Sequence, residues 1–228
     1  MSRPTIFHCS HAVAREAIRA WHYTGTLPAA GLDCYGIREG SRFVGVVVFG
    51  MGANPRLASP FGLAREQVRE LVRVALADDR QHHTSAVVAR CLARLRRERP
   101  EVRLCVSYAD PAHGHVGTLY QAGNWTYLGT TPPGRVLWVH GRRYHPRSLY
   151  QRYRTSSLAW LRAEVDVNAT SSYDPPKHRY VYPFDAQMRR RLRALRQPYP
   201  CGQRVTGDSP GFQSGGARSI RADRTKNR

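Results

Sequence analysis

A chain of 228 residues with 41% hydrophobic and 10% aromatic side chains can bury a core, and its length suits one sizeable domain rather than two. No apolar run approaches the roughly 20 residues that span a bilayer, and the opening MSRPTIFHCSHAVAREAIRAWH has no apolar signal segment, so a soluble, cytoplasmic protein with no membrane partner is expected. The formal net charge is +20, which points to a polyanion as partner.

That charge is carried by arginine, with Lys177 and Lys226 the two lysines. Residues 1–132 hold 16 positive and 10 negative side chains, whereas residues 133–200 hold 14 and 4. The excess therefore lies in the C-terminal third, and arginine's planar fork suits phosphate, so nucleic acid is the leading partner. Five scattered cysteines without a CxxC pair predict neither a disulfide framework nor a zinc knuckle, and Cys91 and Cys105 read as small buried apolar residues.

In chain order, residues 10–20 predict a helix capped by Ser10, with Ala12, Ala17 and Ile18 as its apolar stripe. WHYTGTLPAAG (21–31) is a loop punctuated by Gly and Pro. Residues 32–52 predict a hairpin, whose second strand, FVGVVVF, is buried. After a loop at 53–67, residues 68–76 predict a strand. Residues 84–99 predict an amphipathic helix capped by Thr84 or Ser85, with Val87, Val88, Cys91, Leu92 and Leu95 inward and Pro100 at its end. A buried strand at 102–110 leads to a short helix at 115–122, with Gly123 and Asn124 as left-handed C-cap residues.

Strands at 125–131 and 135–140 are expected to form a hairpin turned at Pro132-Pro133-Gly134. Residues 141–163 read as partly helical, 168–177 as a loop, 178–184 as a strand and 185–196 as a basic helix. From Pro198 onward, Gly, Ser, Pro and Arg without periodicity predict a disordered basic tail, 198–228, after a single domain, 1–197. The alternation of strands and helices implies an α/β fold with a mixed sheet covered by helices.

Three groups of residues carry candidate chemistry. His22 and Tyr23 sit in a loop, where they suit stacking, proton transfer or metal ligation, or else simply pack. His113 and His115 form a His-x-His pair which, with Asp110 nearby and His22 as a further candidate, suits a two-histidine, one-carboxylate iron site. The segment GRRYHPRSLYQRYR (141–154) interleaves Arg142, Arg143, Arg147, Arg152 and Arg154 with Tyr144, Tyr150 and Tyr153. Helix 185–196 adds Arg189 and Arg190. These are the expected contacts to DNA phosphates and to an unstacked base.

The stretches WHYTGTLP (21–28), FVGVVVFGMGANP (43–55), ELVRVAL (70–76) and above all SYADPAHGHVGTLYQAGNWTYLGTT (107–131) resemble the phage Mom DNA-modification family, a divergent branch of the GNAT acyltransferase fold. The resemblance covers about residues 10–185 and implies a GNAT-like mixed sheet with a basic C-terminal extension. It also implies transfer to the N6 of adenine in double-stranded DNA, giving a carbamoylmethylated base that evades host restriction. Adenine N6 is buried in the duplex, so a flipped-out base is expected.

The resemblance further implies that strands 70–76 and 102–110 splay to receive the group donor. Asp110 would accept the N6 proton, or simply close an Asx turn with Pro111. Ser107 or Tyr108, which alternate along the strand, would line the cleft, and Tyr120 would act as acid. Glu70 would be a base or pair with an arginine. Val74, Leu76, Arg80, Thr84 and Ser85 would hold the donor, for which an acyl-CoA type and iron are both admitted. The loop Asp78-Asp79-Arg80-Gln81-His82-His83 lacks the glycines of a phosphate cradle, however, so tight coenzyme A binding is not expected. Two competing readings are an N-acyltransferase that uses acyl-CoA on a small amine or protein, and a non-catalytic nucleic-acid-binding protein.

Overall fold

The computed structural model describes residues 3–27 and 31–200. Strand β1 (Thr5–His8) leads into α1 (His11–Trp21), where the Ser10 side chain accepts the Val13 amide as predicted. The face of α1 that is buried is Ala14, Ala17 and Ile18. Ala12 is exposed, because two residues' separation turns it roughly 200° around the helix from Ala14. The hairpin β2 (Leu32–Glu39) and β3 (Arg42–Gly50) forms as expected, followed by β4 (Val68–Leu76), α2 (Thr84–Glu98), β5 (Leu104–Ala109) and α3 (Thr118–Ala122). The chain then runs through β6 (Thr126–Thr130), β7 (Gly134–Val139), β8 (Arg142–Tyr144), α4 (Pro146–Tyr153) and α5 (Leu158–Glu164). It finishes with β9 (Thr170–Asp174), β10 (His178–Pro183) and α6 (Ala186–Arg193).

The main sheet has the order β1-β2-β3-β4-β5-β10-β6, with β4–β5 parallel and the other pairs antiparallel. On one face the predicted stripe of α2, Val87, Val88, Cys91, Leu92 and Leu95, packs on Tyr35, Val47, Leu71 and Cys105. On the other face α1 covers Val46, Val48 and Ala75, while Met188 and Leu192 of α6 cover Leu104, Val106 and Val181. Each of the larger apolar side chains among these contributes about 1.5–3 kcal/mol on burial. No helix among the described residues is long and apolar enough to cross a membrane.

The structure corrects several expectations. β6 and β7 do not form a hairpin: β6 pairs with β10 at the edge of the main sheet, and β7 enters a second sheet of order β8-β7-β9. Pro132 and Pro133 lack the N–H groups that a ladder through this turn would need. The segment 168–177 is not all loop, because Thr170–Asp174 is an edge strand whose mostly exposed polar residues hide the strand pattern. The small sheet and helices α4 and α5 share a core of Leu137, Val139, Leu149, Leu161 and Ala169.

The N-cap of α2 is His83, with no side-chain bond, rather than Thr84 or Ser85. Asn124 alone takes the left-handed conformation (φ 56°), while Gly123 has φ −90°. Order extends past the expected tail boundary: the Gln197 amide donates to the Tyr127 carbonyl at 2.9 Å, and the Tyr199 hydroxyl to the Trp125 carbonyl at 2.6 Å. The rest of the predicted tail, 201–228, lies outside the described residues.

Gly117, at the N-cap of α3, combines φ +86° with a backbone so close to Tyr180 that a Cβ would lie 2.3 Å from its ring. The Tyr180 hydroxyl donates to the Val116 carbonyl at 2.5 Å, locking this approach. Gly117→Ala is expected to lower the unfolding free energy by about 1–3 kcal/mol through backbone strain alone. Urea denaturation reads this change, and an unchanged midpoint would refute it.

Candidate active site

The parallel ladder of β4 and β5 holds only three pairs: Val68 with Leu104, Arg69 with Cys105 and Glu70 with Val106. Beyond Glu70, β4 stays with β3 and β5 stays with β10, where Ser107 pairs with Tyr180, Tyr108 with Arg179 and Ala109 with His178. A register shift between Val48 and Phe49 bends the β3–β4 ladder at the same level. The strands thus part, as expected, and leave a cleft of about 500 Å³. Its walls are Glu70, Arg73, Val74, Tyr108 and Asp110 from the strands and strand ends, His22 and Tyr23 after α1, Tyr120 from α3, and Thr84 from α2.

Tyr108 lines this cleft, whereas Ser107 is 1% exposed behind its wall. The Ser107 Oγ lies 3.0 Å from the Leu71 carbonyl and 2.7 Å from the Tyr120 hydroxyl. One hydroxyl proton serves one acceptor and a carbonyl only accepts, so Ser107 donates to Leu71 and Tyr120 donates to Ser107. Burial pushes the Tyr120 phenol up to about 12, so it remains a neutral donor. Leu71 is the first residue of β4 past the last rung of the ladder, so its carbonyl, freed by the parting, is satisfied by a side chain.

The two carboxylates of the cleft differ in character. For Asp110, burial opposes the charge, but Lys177 Nζ at 2.7 Å and the Ala112 amide at 3.0 Å outweigh it and lower its pKa. Asp110 is therefore both the Asx-turn residue and one half of an ion pair, which makes it a poor proton acceptor. Glu70 has neither hydrogen bond nor ion pair among the described residues. Burial raises its pKa above the ordinary value, against the more distant charges of Arg73 and Lys177. It does not take up the arginine pairing that the sequence left open.

His22 Nδ1 accepts the Thr24 amide at 3.2 Å, which fixes the ring's proton on Nε2. Burial first, then Arg73 and His115, lower its pKa to about 4, so at neutral pH it is an uncharged donor. Tyr23 is 58% exposed and its ring lies against His22 (4.6 Å between centroids) and His113 (4.4 Å). The expected iron set does not converge. No group of three His, Cys, Asp or Glu among the described residues is placed to hold a metal ion, and the Tyr23 ring packs against both His22 and His113.

Of the expected donor-binding residues, Val74 and Thr84 line the cleft, and Leu76 lines an adjoining groove with Trp21 and Asp78. Ser85 lines neither. Arg80 turns inward, donating to the Ala77 carbonyl at 2.8 Å and the Thr84 hydroxyl at 2.6 Å, so it braces the loop. Two cleft residues have roles the sequence reading missed. Arg73 donates to the Thr26 carbonyl at 3.0 Å and so steadies the loop that carries His22 and Tyr23. Lys177 holds Asp110, and the available signal was a lysine in a chain that otherwise uses arginine.

The basic segment flanks this cleft. β9 ends at Asp174, three residues before Lys177, a separation of at most about 11 Å. Arg143 is tied to Asp174 by an ion pair, and Arg147 donates to the Ala53 carbonyl at 2.6 Å, so both are structural as well as basic. Arg142, Arg152, Arg154, Arg189 and Arg190 are exposed. Tyr144 and Tyr153 pack on the core of the small sheet, which leaves Tyr150, 55% exposed, as the aromatic of this segment able to meet a base.

Fold and cleft together define an α/β protein with a mixed sheet, built around two parallel strands that part to leave a cleft. The family model described as the Mom protein family matches residues 4–201, and the chain belongs to that family. Among curated proteins, the methylcarbamoylase mom of Escherichia phage Mu is 26% identical over 195 residues, covering 82% of this chain and 80% of the relative. Among solved structures, an aminoglycoside acetyltransferase in complex with coenzyme A and kanamycin aligns with a TM-score of 0.48 and 15% identity, over 84% of this chain and 99% of that one. A Bacillus subtilis acetyltransferase in complex with coenzyme A aligns with a TM-score of 0.43 and 11% identity, over 80% and 99%.

A carboxylate whose pKa is higher folded than unfolded binds its proton more tightly in the fold, so its charge destabilises the protein at neutral pH. Glu70→Gln is therefore expected to raise the thermal midpoint at pH 7, the gain vanishing by about pH 4, where the wild-type group is also neutral. A fall at pH 7 would show that Glu70 is held by an ion pair.

Proposed function

We propose that the protein transfers a carbamoylmethyl group to the N6 of adenine in DNA, on a base swung out of the duplex, and so protects that DNA from restriction. Family membership and the methylcarbamoylase mom relative support the DNA-modifying class. The observation that carries the site assignment is Glu70, a carboxylate of raised pKa with no partner among the described residues, at the point where β4 and β5 part.

In this reading the lone pair of N6 attacks the methylene carbon of the donor, the N6–C bond forms, and the bond from that carbon to the leaving group breaks. The N6 proton passes to the Glu70 carboxylate, whose raised pKa fits it for the transfer. His22, neutral with Nε2–H, donates to a ring nitrogen or carbonyl oxygen, and the exposed face of Tyr23 stacks on the base. Tyr120 and Ser107 fix the donor wall through the Leu71 carbonyl. Asp110 acts by positioning Lys177, not as the base. Arg142, Arg152 and Arg154 hold phosphates beside the cleft mouth.

Nucleoside mass spectrometry of plasmid DNA from cells expressing the chain is expected to show a mass-shifted deoxyadenosine, whereas an acyltransferase acting on another amine would leave the DNA unchanged. Glu70→Gln should cut modification by about 10²–10⁴-fold while DNA binding persists. A variant with full activity would remove Glu70 from the chemistry. Arg142→Ala combined with Arg154→Ala should weaken binding across sequences and reduce the salt slope by about 1 per lost phosphate contact. An unchanged slope would take the small sheet and α4 out of the footprint.

A further inference from the structure

The turn from β4 into α2 is built as an anion nest, and the chain fills it itself. Glu39, at the end of β2, places its carboxylate against the backbone amides of Gln81 (3.0 and 2.9 Å) and His82 (3.0 Å). The same carboxylate takes His82 Nδ1 at 2.7 Å and Arg42 Nη2 at 3.4 Å, with its side chain only 4% exposed. Arg42 in turn binds the carboxylate and carbonyl of Asp79, closing the loop over it. Burial works against the charge on Glu39, yet these hydrogen bonds lower its pKa to about 2, so it is ionised at any physiological pH.

Consecutive backbone amides ahead of a 15-residue helix are what a phosphate or diphosphate group uses for binding. The loop is also tied to the cleft, since Arg80 donates to the Thr84 hydroxyl at 2.6 Å and Thr84 is a cleft wall. A phosphate seated on the Gln81 and His82 amides would lie two residues from that wall, at the start of α2. Glu39 occupies both donors and adds negative charge where phosphate would need none.

We infer that Glu39 is a specificity residue, an internal carboxylate that closes the phosphate seat, so that the group donor of this protein is one not held there by a diphosphate. The inference rests on the cleft being the donor site, but not on adenine being the acceptor.

Titration of wild type and Glu39→Ala with sodium pyrophosphate and with coenzyme A tests it directly. Wild type is expected to show no saturable binding at millimolar ligand, and Glu39→Ala to bind pyrophosphate roughly tenfold tighter or more. The variant should also melt at lower temperature than wild type and recover part of that loss in pyrophosphate, while wild type stays unmoved.

Wild type binding either ligand as tightly as the variant would overturn the inference, and so would a folded variant that binds neither. If Glu39→Ala does not fold, Glu39→Gln keeps the volume without the charge, and the Gln81 and His82 amide resonances report on the nest. They should move with pyrophosphate in that variant only, and their silence would equally overturn the inference. DNA modification by wild type is read separately by nucleoside mass spectrometry, so loss of the adenine assignment and loss of the plugged seat are distinct results.

Discussion

The architecture of the site depends on a ladder that stops. β4 and β5 hold each other through three residue pairs and then separate, because each has a second neighbour that continues to satisfy its backbone. A buried sheet cannot open without leaving amides and carbonyls unpaired. The Leu71 carbonyl, next past the last rung, receives the Ser107 hydroxyl, which in turn receives that of Tyr120. The same two hydroxyls tie α3 to the fork, so one set of hydrogen bonds repairs the sheet and fixes the cleft wall.

Around that opening, carboxylates of the same chemistry take different roles according to what surrounds them. Asp110 has a lysine and a backbone amide and stays charged as a scaffold. Glu39 has two backbone amides, a histidine and an arginine and acts as a permanent internal anion. Glu70 has no partner among the described residues, and burial alone leaves it avid for a proton. Desolvation disfavours charge in all three, and only the supply of donors decides which remain ionised.

The arginines divide in the same manner. Arg143 ties β8 to β9 and Arg147 ties α4 to the loop after β3, whereas Arg142, Arg152 and Arg154 face solvent. Because β9 reaches Lys177 within three residues, this basic surface is anchored beside the cleft mouth rather than hung on a free arm.

The sequence alone determined what local pattern can carry. The stripe of α2 was legible in its spacing, the β3 core in its β-branched run and the cap at Ser10 in its chemistry. The resemblance located the fork and half of the residues that line it. What remained open required distances between residues far apart in the chain. Ser107 and Tyr108 alternate in any strand, and only the position of Tyr120 shows which is buried. Asp110 and Glu70 are equivalent as letters, and Lys177, 67 positions beyond Asp110, makes them different. β9 reads as loop because an exposed edge strand has no apolar alternation to display, and the partner of Glu39 is a pair of backbone amides, which no residue name encodes. Periodicity and capping are local properties, whereas protonation state, pairing and occupancy of a nest are set by the tertiary field.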